Sequence, residues 1–149
     1  MLVTPFTACG SLPPSPAGAN VACANAGAAH HAYVVVEHLS GAAMQRCVGF
    51  DADAISGKAL MDASGIEYGA QKLISGAAVC QVDNEPKHYT QCFPQGQPYW
   101  ALFIGTRGAW ASAPGGFTDA MLRDGQALGW RYVASGSVNP SPPPSATEL

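Results

Sequence analysis

Five cysteines, four histidines and ten acidic side chains are the reactive groups of this 149-residue chain. Their spacing fits no catalytic set. GxSxG, HExxH, a P-loop and GxGxxG are all absent, and nothing pairs a nucleophile with an oriented base, so the expected protein is not an enzyme. Metal chemistry is equally unsupported. There is no CxxC pair and no Cys/His cluster at zinc spacing. Asp51 and Asp53 offer two carboxylates where a calcium loop needs more, and they read as turn residues before a helix. His30–His31 reads as the edge of a leader and His38 as a strand residue. His88 is the histidine that a ligand could meet, because it lies in a loop between two cysteines.

Those cysteines read as structural. Cys80 and Cys92 bracket QVDNEPKHYTQ, whose Asp83, Asn84 and Pro86 are turn formers. A disulfide there closes the mouth of a loop. Cys47 falls in a strand and needs a partner, for which Cys23 is favoured over Cys9. That leaves one cysteine over. Disulfides imply an oxidising, extracellular setting. Only 11% of residues are charged and the net charge is −3. No basic stripe is available to neutralise nucleic-acid phosphates or to hold a membrane surface. The longest apolar runs fall far short of a spanning helix.

Composition divides the chain in three. Residues 1–30 are uncharged up to the two histidines and rich in Ala, Pro and Gly. They read as a leader or a disordered arm, and Phe6–Cys9 has a faint acylation-site pattern. Residues 135–149 are Pro/Ser-rich and read as a disordered tail. The folded domain is expected over 31–134. Within it, Tyr33–Leu39 and Gln45–Phe50 read as a strand pair. Ser56 caps a helix expected from Gly57 to Glu67. Short strands follow at Lys72–Ile74 and Ala77–Val82. Tyr99–Gly105 is the strongest strand signal, Phe117–Arg123 reads as a helical turn, and Leu128–Val133 is the last strand. The expected class is α+β, with one main helix packed on a mixed, mostly antiparallel sheet.

The aromatic residues cluster in the last third: Tyr99, Trp100, Phe103, Trp110, Trp130 and Tyr132. Period-two alternation puts Trp100, Leu102 and Ile104 on one face of their strand. Tyr99, Ala101 and Phe103 fall on the other. One face packs on the helix. The other either completes a small core or presents aromatics to a ligand. These six residues, with His88, are the candidate ligand-binding set.

The stretch from Val36 to Val133 resembles the transcobalamin-like C-terminal domain of bacterial secreted proteins. The residues that carry the likeness are ISGKALMDAS, VCQVDNEPKHYTQC, PYWALFIG, WASAPGG and LRDGQALGWRYV, in that order. The resemblance implies a β-grasp-like fold in a secreted or cell-surface protein. In the vitamin carriers of that family the domain caps cobalamin against an α/α-toroid, which these residues do not contain, so a clamp would need a partner chain. Tyr99, Trp100 and Trp130 occupy motif positions. The DxHxxG motif of base-off cobalamin binding is missing, so histidine ligation is not implied. The expected function is therefore a non-enzymatic binding domain, for cobalamin or a similar cofactor together with a partner. The alternative is a surface adhesion or spacer module that binds protein.

Overall fold

A computed structural model describes residues 22–74 and 76–146. The expectations for residues 1–21, Cys9 included, and for 147–149 lie outside them. Nine strands and one helix are found among the described residues: β1 His30–Glu37, β2 Ala43–Phe50, β3 Ile55–Ser56, α1 Gly57–Ser64, β4 Tyr68–Leu73, β5 Gly76–Val82, β6 Tyr99–Thr106, β7 Ala109–Ser112, β8 Met121–Leu122 and β9 Ala127–Val133.

This corrects the expected class. The described residues are 44% strand and 6% helix, so the protein is a β structure with one short helix, not a helix packed on a sheet. The helix is short because it is capped at both ends within two turns. The Ser56 hydroxyl accepts from the Ala59 amide at 3.2 Å, and Gly65 closes the other end in the left-handed region, at φ 74°. The stretch Phe117–Arg123, expected as a helical turn, instead makes a turn at 117–119 and then β8, which pairs with β3.

The main sheet has the order β2-β1-β9-β6-β7. β1 and β9 are parallel, and the other neighbours are antiparallel. β-branched residues build β1, and Ala32, Val34 and Val36 alternate onto its inner face. There they join Val48, Phe50, Leu128, Trp130, Tyr132 and Trp100 in one buried cluster. Leu60 and Met61 of α1, Leu122 of β8 and Val79 and Val82 of β5 complete it. Burial of this apolar surface is the main stabilising term.

The β4–β5 hairpin is tied to α1 by a polar cluster. The Tyr68 hydroxyl donates to Asp62 at 2.5 Å, and Lys58 pairs with the same carboxylate at 2.6 Å. Hydrogen bonds from Lys58 and Tyr68 hold the Asp62 carboxyl below its ordinary value. Burial, and then the bond to Asp62, push the Tyr68 phenol up to about 12. An unfolded tyrosine ionises near 10, so above that pH the unfolded chain loses this proton first. Stability is therefore expected to fall as pH rises from about 10 to about 12. Thermal melts across that range should show the slope, and Tyr68→Phe should flatten it. An unchanged slope in the variant would place the alkaline loss elsewhere, with Tyr132, whose phenol is also raised, as the next group to test.

The outer face of the sheet is met by Cys23 on one side and by residues 135–146 on the other. Cys23 is bonded to Cys47. Residues 135–146, which composition marks as a linker, lie against the sheet. Tyr99 donates its hydroxyl to the Ser137 carbonyl at 2.8 Å, Arg131 donates to the Ser141 carbonyl at 2.9 Å, and Ser145 donates to the Gly108 carbonyl at 3.3 Å. Pro143 is buried there. A domain with one short helix thus finds its second cover in its own proline-rich segment.

Candidate functional site

The chain between β5 and β6 builds one of several surface clefts, the one richest in aromatic side chains. Val79 and Cys80 are buried at the end of β5. Beyond Val82 the backbone turns through Asp83 and Asn84, both at positive φ (47° and 61°), a conformation that short polar side chains tolerate best. The loop then returns to Cys92, which is bonded to Cys80. The Gln71 side chain clamps it from β4, donating to the Thr90 carbonyl at 3.2 Å and accepting from the Cys92 amide at 3.1 Å. Gln81 donates to the Pro86 carbonyl at 2.7 Å. Between this loop and the start of β6 lies a cleft of about 360 Å³.

Trp100, Tyr132, Tyr99 and Val79 form the wall on the sheet side. Pro86, His88, Tyr89, Thr90 and Gln91 form the loop side, and Phe93, Pro94, Gln97 and Pro98 the rim. The Trp100 and Tyr132 rings lie 4.8 Å apart at 31°. Phe93, 54% exposed, leans toward Tyr99 at 6.2 Å. Trp100 and Tyr132 are only 3% and 8% exposed and form a buried floor, so a ligand would meet mainly the rings of Tyr89, Phe93 and Tyr99, the His88 imidazole, two amides and several hydroxyls, a mixture that suits a partly apolar ring with polar edges.

An ionic cluster braces the wall from behind. Both ring nitrogens of His38 meet carboxylates: Nδ1 meets Glu85 at 2.7 Å and Nε2 meets Asp83 at 3.1 Å. Glu85 also accepts from the Leu39 amide at 3.2 Å, and its main-chain carbonyl accepts from Trp100 Nε1 at 2.9 Å. Trp100 is therefore fixed in plane by a hydrogen bond and edge-on by His38, 6.1 Å away. Burial, with the negative charge of Glu85 behind it, raises the Tyr132 phenol. The two carboxylates sit on diverging nitrogens of one ring, so they do not converge on a common point. Among the described residues no group of three or more His, Cys, Asp or Glu side chains could hold a metal ion.

Of the seven candidate ligand-binding residues, four line this cleft: His88, Tyr99, Trp100 and Tyr132. Trp130 does not. It is 3% exposed in the main core, where its indole N–H meets Met61 Sδ at 3.3 Å and its ring meets Phe117 edge-on. Phe103 is likewise 3% exposed, on the outer side of β6. Trp110 lies on the opposite face from the cleft, beside Tyr33 and Ala127. Tyr89, Phe93, Gln91 and Gln97 of the cleft and Glu85 behind it were not singled out from the sequence. The loop was legible as a disulfide-closed ring, but nothing in its polar composition says which side chains turn inward.

No family model and no curated protein matches the chain. In structure it is similar to a "putative metal binding protein" from Ruminococcus gnavus ATCC 29149, with a TM-score of 0.54 and 16% identity over 71% of this chain and 98% of that one. At that identity the likeness shows the fold alone.

Proposed function

We propose that this is a secreted or cell-surface binding domain without catalytic activity. Its ligand site is the cleft under the Cys80–Cys92 loop, and its ligand is a small, flat, partly apolar molecule. The observation that carries this reading is the cleft itself, about 360 Å³ with Trp100, Tyr99 and Tyr132 on one wall and His88 and Tyr89 on the other. Its size falls in the range of small-molecule pockets. Two disulfides suit an oxidising compartment. The metal-binding description of the structural neighbour is not carried over, because His38, Asp83 and Glu85 are engaged with one another and no group of three or more His, Cys, Asp or Glu side chains among the described residues could hold a metal ion. The resemblance to transcobalamin-like domains makes cobalamin the first named ligand to test. A cleft of this volume takes an edge of a corrin, so a partner chain would cover the rest.

Titration with cyanocobalamin, and separately with indole and quinoline, tests the reading, with the Trp100 indole N–H resonance and calorimetry as readouts. Saturable binding is expected at about 10–100 μM, or about −5 to −7 kcal/mol. His88→Ala should weaken it severalfold without lowering the melting temperature, because that side chain is exposed. Response to the flat heterocycles and not to cyanocobalamin would remove the corrin and keep the cleft. Silence from all three probes would overturn the site.

A further inference from the structure

The outer face of the sheet, away from the cleft floor, carries a second aromatic surface. Trp110 stands on β7 beside Gly105 of β6 in the antiparallel register. Its six-membered ring lies over two glycines on adjacent strands. A β-carbon built on Gly105 would come within 2.9 Å of that ring, and one on Gly129 within 2.6 Å. Both positions must therefore be glycine for the indole to lie flat on the sheet. Pro143 packs beside it, with its Cγ 2.9 Å from the same Gly129 position. Ala146 continues the contact against the cluster of Tyr33, Cys47 and Ala127. The covering segment, Pro140-Ser141-Pro142-Pro143-Pro144, is restricted in φ at most of its positions and favours polyproline II. A flat indole flanked by small residues is a surface that proline rings fit, and such segments bind with little ordering cost.

The tail fills this surface imperfectly. Trp110 Nε1 is enclosed, yet it has no hydrogen-bond partner among the described residues. An enclosed donor left unmet costs more than the bond would contribute. An extended segment that brought a carbonyl to that atom would make every contact the tail makes and one more. We infer that the Trp110 face is a docking groove for a proline-rich segment of a partner protein, held closed in the free chain by residues 137–146. The tail then acts as a tethered competitor, present at an effective concentration of about millimolar, which a partner must exceed.

The test uses the full chain labelled with nitrogen-15 and follows the Trp110 indole N–H. Pro143→Asp puts a charge on the covered face, so the tail resonances should narrow and the Trp110 signal should move. A synthetic peptide of residues 137–146 should then bind this variant saturably and bring the Trp110 signal back. A deca-proline peptide should move the same signal, and both peptides should need about tenfold more to act on the unaltered chain. The 137–146 peptide carrying Pro143→Asp should not bind. Three results would overturn the inference: a Trp110 signal unmoved by Pro143→Asp, equal binding of the two tail peptides, or a deca-proline peptide that fails where the tail peptide binds. If Pro143→Asp does not fold, Pro143→Ala serves the same titrations, because it removes the ring contacts without adding charge.

Discussion

Trp130→Ala is expected to remove about 3–5 kcal/mol of stability, the range for deleting a large aromatic from a packed core. Whole domains of this kind are stable by about 5–15 kcal/mol, so the variant should be marginal. The reason is position. Trp130 sits on a strand with neighbours on both sides, is 3% exposed, and meets Met61 of α1 and Phe117 at once. Urea unfolding followed by circular dichroism should show the midpoint fall with little change in slope. A loss below about 1 kcal/mol would mean that the side chain is not the packed core residue described here. Trp130→Phe, which keeps a ring against Phe117, should recover much of the loss.

Removing the loop disulfide, in the double variant Cys80→Ser and Cys92→Ser, should have the next largest effect. The bond spans 12 positions, and closing such a ring contributes about 3 kcal/mol in the chain-entropy account. The melting temperature should drop by about 10 °C. The cleft should suffer more than the core, since His88–Gln91 are held over Trp100 by this bond and by the two Gln71 contacts. Binding of indole to the variant should weaken more than about tenfold even where the fold survives. Unchanged melting would show that the Gln71 and Gln81 contacts hold the loop by themselves.

Most of the longer strands could be read from residue pattern, though not their order in the sheet. The β-branched run at Tyr33–Val36 and the aromatic run at Tyr99–Ile104 are unambiguous, and the alternation in β6 puts Trp100, Leu102 and Ile104 on the core face. The α+β expectation fails because one capped helix signal, two turns long, does not amount to a layer. β3 and β8 have two residues each, too few for a period to register. The outer cover was invisible for a different reason. Proline-rich composition predicts a lack of regular secondary structure, which holds for residues 141–146, but it does not forbid docking on a flat indole. The glycines that make that docking possible, Gly105 and Gly129, look in sequence like weaknesses in two strands. At the cleft, the aromatic residues of β6 and β9 were legible. The brace behind them was not, because it joins His38 to Asp83 and Glu85 across 45 and 47 positions.

The parallel pairing of β1 with β9 also has a kinetic side. Tyr33 aligns with Ala127 and Glu37 with Arg131, so the seam at the centre of the sheet joins the first and the last described strands. The β1–β2 hairpin is local and can form early, but the seam must wait for a long loop to close. During synthesis the sheet cannot be completed until Val133 has left the ribosome. A chain stopped before that point leaves the facing edges of β1 and β6 unpaired. Unpaired edges are templates for pairing between chains. Unfinished copies should therefore be far more prone to aggregate than finished ones.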